Sequence, residues 1–373
     1  MLYHLLYENL RQWFGGFNLF GYISFRSAMA AVTAFVLCML VGPPVIRYLK
    51  KKNILEEEGK SGSETLDALR NKRPRTPTMG GCIILLGILI STLLWGRLDN
   101  RFIQLGILGT LGFGIIGFID DYIKLVYYNR KGLKSSSKLR MQVAVSLALT
   151  FAVFILLKRT GNSEFMRVYL PVGKSLYIDL SFWGGTLFFF FALFVIVGTS
   201  NAVNLTDGLD GLAPGCMLIT SVAMAVICYV TGRSDFTDYL KIPYVPGSGE
   251  LPIFCAAMAG ATMGFLWFNC YPAQVFMGDT GSLSLGGLLG FIAVACKQEI
   301  LLFIVGGVFF IEVISVILQV GSFRLRGGKR IFLCAPLHHH FQFKKWADPK
   351  ITVRFWILGI ILAIVGLSTL KMH

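Results

Sequence analysis

Carboxylate side chains stand beside apolar runs at separate points of this 373-residue chain. Asp120 and Asp121 close one run, and Lys124 follows Asp120 by four residues, which places both on one face of a continuing helix. Asp279 lies among glycines, directly ahead of another run. Mg²⁺ takes one or two carboxylates together with substrate phosphates. The pattern predicts Mg²⁺-assisted phosphate chemistry with Asp279 as the metal ligand. A helix-end charge pair and a helix N-cap are the plainer alternatives.

A second polar segment, residues 201–211, reads NAVNLTDGLDG and follows an apolar run. It offers the amide of Asn204 and the carboxylates of Asp207 and Asp210, with glycines that let the backbone fold tightly. We predict a loop that wraps a sugar, a base or a hydrated cation. An ordinary polar turn ahead of a helix is the alternative.

Two further segments carry groups that suit phosphate. Residues 72–81 read KRPRTPTMGG, and residues 335–340 read APLHHH within a basic stretch. Three consecutive histidines cannot all face one point, so we expect one or two of them to contact phosphate and the rest to pack or orient. The alternatives are a topogenic signal for the first segment and contacts with anionic lipid head groups for the basic residues of the second.

Composition places the chain in a membrane. It is 55% hydrophobic and only 15% charged, whereas soluble domains have about 25% charged residues. The net charge of +15 is explained by the basic loops of a membrane protein, so we expect no nucleic-acid partner. The eight cysteines are scattered without metal-ligand spacing, which predicts neither a zinc site nor a disulfide framework.

Hydropathy predicts an all-α, polytopic helical bundle that forms one domain over residues 1–373. Residues 1–25 are expected to form an interfacial segment, 48–76 a cytoplasmic loop with an acidic insertion, and 321–354 a cytoplasmic loop with the histidines. The ten predicted transmembrane helices cover residues 26–47, 79–95, 102–120, 141–157, 183–200, 212–230, 252–268, 282–296, 300–320 and 355–370.

Basic residues predict the orientation. Most of the 35 Lys and Arg residues fall in the loops after the first, third, fifth, seventh and ninth helices, which marks these loops as cytoplasmic. Both termini are then non-cytoplasmic. The acidic segments and the histidines at 338–340 all fall on the cytoplasmic side, so we expect the chemistry on that face.

The segments together resemble the phospho-N-acetylmuramoyl-pentapeptide transferase (MraY translocase) family, within the polyprenyl-phosphate sugar-1-phosphate transferases. The resemblance rests on TPTMGG at 76–81, GFIDDYIK at 117–124, GTSNAVNLTDGLDGLA at 198–213, NCYPAQVFMGDTGSLSLG at 269–286 and APLHHHFQ at 335–342. It implies a multi-pass enzyme of the inner membrane, active at the cytoplasmic face. The enzyme would transfer phospho-N-acetylmuramoyl-pentapeptide from its UDP-linked donor to undecaprenyl phosphate and release UMP. It would require Mg²⁺ and form a homodimer among membrane lipids.

The resemblance also implies roles for individual residues. Asp279 would bind Mg²⁺, and Asp120 and Asp121 would form an acidic pair near the lipid phosphate, with Asp120 as the base or nucleophile. His338 would serve catalysis. Residues implied to contact substrate are Lys72, Arg73, Thr78, Lys124, Lys138, Asn204, Asp207, Asp210, Asn269, Phe276, His339 and His340. The family's basic run is one residue longer here, which leaves open whether Lys72, Arg73 or Arg75 takes its role.

Two alternatives belong to other classes or substrates. A related transferase would use a UDP-N-acetylhexosamine donor. A transporter would carry charges at mid-membrane and broken helices in corresponding halves. The acidic residues here lie at helix ends instead, and the exception is Glu312 within the ninth predicted helix.

Overall fold

The computed structural model describes residues 1–52, 76–126, 132–159, 163–171 and 176–371. The predicted acidic insertion, Lys72, Arg73 and Arg75 lie outside these ranges. A π-helical segment (Tyr3–Asn9) and a 3₁₀ segment (Gly15–Gly21) precede the first long helix. The α-helices are α1 (Ile23–Lys51), α2 (Gly81–Trp95), α3 (Arg101–Val126), α4 (Ser135–Arg159), α5 (Phe182–Thr206), α6 (Leu212–Thr231), α7 (Ser234–Leu240), α8 (Leu251–Asn269), α9 (Gly278–Ala295), α10 (Glu299–Val305), α11 (Gly307–Leu325), α12 (Leu337–Phe343) and α13 (Asp348–Thr369).

The predicted all-α class is confirmed for the described residues, which are mostly helical and contain almost no strand. They contain nine helices long and apolar enough to cross a bilayer, and α2 is a shorter apolar helix of 15 residues. At 1.5 Å per residue α2 is about 22 Å long, less than the ~30 Å of a hydrocarbon core. The sidedness of the termini stays a prediction.

Several helix ends differ from the hydropathy prediction. Helix α3 continues to Val126, α4 begins at Ser135 and α13 begins at Asp348, whereas the predicted boundaries were 120, 141 and 355. Each extension carries two or three charged residues, which lower the mean hydropathy of a window below that of a membrane span. The ninth predicted helix is two helices, α10 and α11, which meet at Gly306.

A small hairpin departs from the all-α expectation. Strands β1 (Arg167–Tyr169) and β2 (Tyr177–Asp179) pair antiparallel, with Val168 opposite Ile178. They lie between α4 and α5, where sequence predicted only a loop. Three-residue strands give too few alternating positions for a period to be visible.

Helices α8 and α9 form the centre of the bundle, and glycines allow neighbouring backbones to approach them. A Cβ at Gly260 of α8 would lie 2.0 Å from the carbonyl oxygen of Ala31 in α1. On α9, Gly286 and Gly290 face the backbone of α5 in the same way. Small residues four apart are typical of close helix packing in membranes. The ends of α8 and α9 are therefore fixed relative to α1 and α5.

A buried ion pair joins α1 to the start of α8. The Arg26 guanidinium donates to both carboxylate oxygens of Glu250 at 2.7 and 2.8 Å, and the backbone N–H of Arg97 donates to Glu250 Oε2 at 3.3 Å. Arg26 is 1% exposed. The pair links three elements that are far apart in sequence.

Glu250→Gln should lower the stability of the protein because it leaves the Arg26 charge buried without its counter-ion. Loss of one partner of a buried pair costs on the order of 3 kcal/mol. Thermal unfolding of the purified protein in detergent measures the change. Asp235→Asn, which breaks the exposed Arg233–Asp235 pair, is the control and should leave the midpoint nearly unchanged. Equal midpoints for the two variants would contradict the assigned role of the pair.

Candidate active site

Three carboxylates from two helices converge. One ligand atom each of Asp120, Asp121 and Asp279 lies within 4.8 Å of the others. The aspartate pair lies on α3 and Asp279 in the first turn of α9. The helices approach closely at Gly117, where a Cβ would lie 2.2 Å from the carbonyl oxygen of Asp279. The predicted convergence of these acidic segments is present in the structure.

Asp121 caps the N-terminus of α9. Its Oδ1 accepts the backbone N–H of Asp279 at 3.1 Å, and its Oδ2 accepts the N–H of Thr280 at 3.0 Å and the Thr280 hydroxyl at 2.7 Å. The first amides of a helix lack intrahelical acceptors, and a carboxylate there is favourable. Because Asp121 satisfies these amides from another helix, the Asp279 side chain is not the cap and is directed to other partners.

Two lysines compensate the carboxylates. Lys124 Nζ lies 2.6 Å from Asp120 Oδ2 and 2.7 Å from Asp279 Oδ2. Lys138 Nζ also lies 2.7 Å from Asp279 Oδ2. The predicted shared face of Asp120 and Lys124 is confirmed. Lys138 reaches the cluster because α4 begins at Ser135 and carries it in its first turns.

The donor set of the cluster is oxygen only, which suits a hard cation. Three carboxylates can supply ligands of the kind that Mg²⁺ prefers, and the described residues place no thiolate or imidazole in this group. The composition of the cluster therefore fits Mg²⁺ better than zinc or copper.

Asn204 connects the carboxylates to a neighbouring turn. Its Nδ2 donates to Asp279 Oδ1 at 2.5 Å and to Ser282 Oγ at 2.8 Å. The loop predicted at 201–211 is wrong for its first half, because α5 continues to Thr206 and contains Asn204. Only residues 207–211, here called the glycine turn, leave the helix.

The glycine turn is held by the segment that follows α8. The N–H of Gly211 donates to Asn269 Oδ1 at 2.9 Å, and the N–H of Ala273 donates to Asp210 Oδ2 at 3.1 Å. Asn269 Nδ2 donates in turn to the carbonyl of Val275 at 2.8 Å. Asp210 and Asn269 are buried and shape the backbone here. Their predicted contact with substrate stays a prediction.

The last long helix also supports the glycine turn. Trp356 Nε1 of α13 donates to the carbonyl of Gly211 at 3.1 Å, and Thr352 Oγ1 donates to the carbonyl of Asp210 at 3.2 Å. A Cβ at Gly215 would lie 2.1 Å from Trp356 Nε1, so a larger residue there would displace the indole. The turn is therefore fixed from two sides.

Thr78 and Phe276 lie on two extended segments beside the carboxylates. The N–H of Phe276 donates to the Pro77 carbonyl at 2.7 Å, and the N–H of Gly80 donates to the Phe276 carbonyl at 2.8 Å. A Cβ at Gly278 would lie 2.7 Å from Asp121 Oδ2 and 3.0 Å from Thr78 Oγ1. Thr78 is therefore adjacent to the carboxylate cluster.

Comparison with known proteins decides the family. Residues 103–297 match glycosyl transferase family 4. Over the full length of both chains the protein is 49% identical to the phospho-N-acetylmuramoyl-pentapeptide-transferase of Thermodesulfovibrio yellowstonii. It is 51% and 50% identical, again over both full lengths, to the proteins of that name from Citrifermentans bemidjiense and Desulfotalea psychrophila. The chain belongs to the phospho-N-acetylmuramoyl-pentapeptide-transferase family. The resemblance drawn from the motifs is confirmed.

The consecutive histidines His338, His339 and His340 contact different parts of this transferase family member. His338 is buried between Glu312 of α11 and the glycine turn, where a Cβ at Gly208 would lie 2.2 Å from His338 Nε2. His339 Nδ1 contacts Gln342 Oε1 at 2.7 Å, and His340 Nδ1 accepts the N–H of Leu333 at 3.1 Å. The expectation that the three do not face one point is confirmed.

His340 shapes the loop ahead of α12. Burial, together with the nearby Lys344 ammonium, lowers the pKa of His340. The lowered pKa favours the neutral ring, which is the form whose Nδ1 can accept a hydrogen bond. The predicted contacts of His339 and His340 with substrate stay predictions.

Sequence reasoning did not select two polar residues of this family member's site. Thr280 donates its hydroxyl to Asp121, and Ser282 accepts from Asn204. Their position in the sequence could have indicated them, because both lie in the first turns of the helix that contains Asp279. A polar side chain in these turns can form hydrogen bonds with the residues that pack against the N-terminus of the helix.

Gly278→Ala should destabilise the protein by more than backbone strain alone. Gly278 has φ +70°, and an added methyl group would also meet Asp121 and Thr78. Gly184→Ala is the matched control, because Gly184 has φ +67° with no atom within 4 Å of the added Cβ. The strain shared by both variants is about 1 kcal/mol. Thermal unfolding should give a clearly larger loss for Gly278→Ala, and equal losses would contradict the tight packing at α9.

Proposed function

We propose that the protein transfers phospho-N-acetylmuramoyl-pentapeptide from its UDP-linked donor to undecaprenyl phosphate, with release of UMP. The main support for this proposal is that three carboxylates and two lysines converge at one end of the bundle, namely Asp120, Asp121, Asp279, Lys124 and Lys138. The name shared by its full-length relatives supports the same reaction and favours the muropeptide donor over other UDP-sugars.

Mg²⁺ is part of the proposal. Asp279 and Asp120 would hold the ion in place of their lysine contacts, while Asp121 keeps its hydrogen bonds to the amides of α9. When bound, the ion supplies positive charge to the donor diphosphate. Lys124 and Lys138 supply two ammonium groups at the same carboxylates, where they can bind phosphate oxygens of either substrate.

The lipid phosphate would attack the donor directly. Its oxygen forms a bond to the β-phosphorus, and the bond from that phosphorus to the bridging oxygen of the α-phosphate breaks, so that UMP leaves. A phosphate monoester has a second pKa near 6 and is largely a dianion at neutral pH. Asp120 has therefore little more than a residual proton to remove. A phospho-aspartyl intermediate is the alternative.

The glycine turn and its surroundings are proposed to receive the nucleotide-sugar. Asn204 joins the carboxylates to this turn, and Asp207 is half-buried within it. Phe276 is half-buried and stands three residues before Asp279. Asp210, Asn269 and His338 support this region, and the remaining predicted phosphate contacts are Lys72, Arg73, Thr78, His339 and His340.

The site is proposed to face the cytoplasm at the inner membrane, with both chain ends on the opposite side. The support is charge, because basic residues follow α11 in the part of the chain that carries the histidines, and cytoplasmic loops are enriched in such residues. The homodimer implied by the family resemblance stays a prediction.

Assay of UMP release tests the function. Purified protein with Mg²⁺ and undecaprenyl phosphate should release UMP from UDP-N-acetylmuramoyl-pentapeptide but not from a UDP-N-acetylhexosamine, and EDTA should stop the release. Asp279→Asn should lower kcat by about 10²–10³-fold, because the lost charge is worth several kcal/mol. Asp235→Asn, an exposed carboxylate outside the site, should remain fully active. Absence of UMP with the muropeptide donor would contradict the proposed function.

Incubation with donor alone separates the two mechanisms. Direct attack needs the lipid acceptor, so protein, Mg²⁺ and donor should give no UMP and no modified protein. Intact-protein mass spectrometry and UMP analysis measure both products. A burst of one UMP per enzyme, with a phospho-muropeptide adduct on an aspartate, would contradict direct attack and establish the two-step route.

A further inference from the structure

Glu312 is a fully buried carboxylate that the proposed chemistry does not use. It lies within α11, with 0% of its surface exposed. Its Oε1 accepts the backbone N–H of His338 at 3.2 Å, and its Oε2 lies 3.3 Å from His338 Nδ1. A buried carboxylate is costly unless it is paired. Both of its oxygens are directed at one histidine.

The opposite edge of the His338 ring faces the glycine turn. Nε2 is buried and has no hydrogen-bond partner among the described residues, and the same is true of Nδ1 and of Glu312 Oε2. A methyl group at Gly208 would lie 2.2 Å from this atom, so a glycine is needed for the ring to approach. Gly208 stands directly after Asp207, within the turn that Asn204 connects to the carboxylates. The imidazole therefore bridges Glu312 and the proposed nucleotide-sugar site.

A carboxylate at Nδ1 determines what Nε2 can do. With a proton on Nδ1 directed at Glu312, the neutral ring presents a lone pair at Nε2, and the charged ring presents a donor there. A carboxylate behind a histidine fixes the orientation and tautomer of the ring and raises its basicity. At 3.3 Å the Nδ1 and Oε2 atoms are in close contact without forming a hydrogen bond in this structure. Such contacts often tighten only when substrate is bound.

We infer that Glu312 is a positioning residue that acts through His338. It holds the ring with Nδ1 toward α11 and Nε2 toward the glycine turn, so that His338 meets the bound nucleotide-sugar in one tautomer. The inference rests on the proposed transferase function and adds a residue to it.

Another buried glutamate provides a matched comparison. Glu299 is 1% exposed, and its Oε1 accepts from Lys297 Nζ at 2.8 Å. The pair follows the C-terminal end of α9, which lies about 24 Å along that helix from Asp279. Both glutamates are buried beside a basic side chain, but of the two only Glu312 lies beside a residue that contacts the site. Glu299→Gln therefore controls for the loss of a buried charge.

A double-mutant cycle tests the inference. UMP release should be measured for the wild type, Glu312→Gln, His338→Ala, the double variant and Glu299→Gln. Loss of a carboxylate behind a metal-ligating histidine typically costs about 10–100-fold in activity, and we expect a similar factor for the orientation of His338. We expect Glu312→Gln to lower kcat by about that factor with KM for both substrates nearly unchanged. In the His338→Ala background the same substitution should have no further effect, and Glu299→Gln should keep the wild-type kcat.

Other outcomes are decisive as well. Multiplying effects in the double variant would mean that Glu312 acts independently of His338 and would overturn the inference. Wild-type kcat in Glu312→Gln, with only a lowered unfolding temperature, would assign it a structural role. If Glu312→Gln does not fold, Glu312→Asp retains the charge and enters the same cycle with the same expectation. An inactive wild type would instead overturn the proposed function, whereas an active wild type with an equally active Glu312→Gln overturns only the inference.

Discussion

The meeting of three buried carboxylates constrains the rest of the structure. Like charges within 4.8 Å repel strongly away from bulk water, so they persist only beside positive groups or hydrogen-bond donors. The compensation comes from the amides of α9, from Lys124 on α3, from Lys138 on α4 and from Asn204 on α5. Four helix ends must therefore reach the same point.

Glycine contacts make this convergence possible in a membrane, where apolar helices gain little from mutual burial. Gly117 brings α3 to the start of α9, and Gly286 and Gly290 bring α5 along its length. Close backbone contact of this kind tolerates little relative movement. The central helices therefore form a rigid frame for the carboxylates at their ends.

The sequence predicts the class and the apolar helices because composition and hydropathy report the lipid environment directly. It predicts less well where a helix leaves that environment. Lys138 and Asn204 stand in helical turns that hydropathy assigns to loops, since those turns are polar. The distinct roles of Asp120 and Asp121 follow in outline from the 100° between successive residues of a helix.

Long-range pairing is the part that one sequence cannot supply. Glu312 stands out as a lone acid in an apolar helix, but nothing local shows that its partner is a histidine 26 residues later. Arg26 and Glu250 are 224 residues apart, and no helix or strand periodicity relates two positions so distant in sequence. The capping of α9 by Asp121 is hidden for the same reason, because a cap is normally sought within the helix's own flank.

The hydrogen bond from Trp356 to Gly211 links the glycine turn to a helix 145 residues further along the chain. During synthesis the carboxylate-bearing helices enter the membrane first, while the turn still lacks this support. The site is complete only after α13 has inserted and packed on α6. A chain without α13 would bring the carboxylates together but would lack the two hydrogen bonds that this helix donates to the glycine turn.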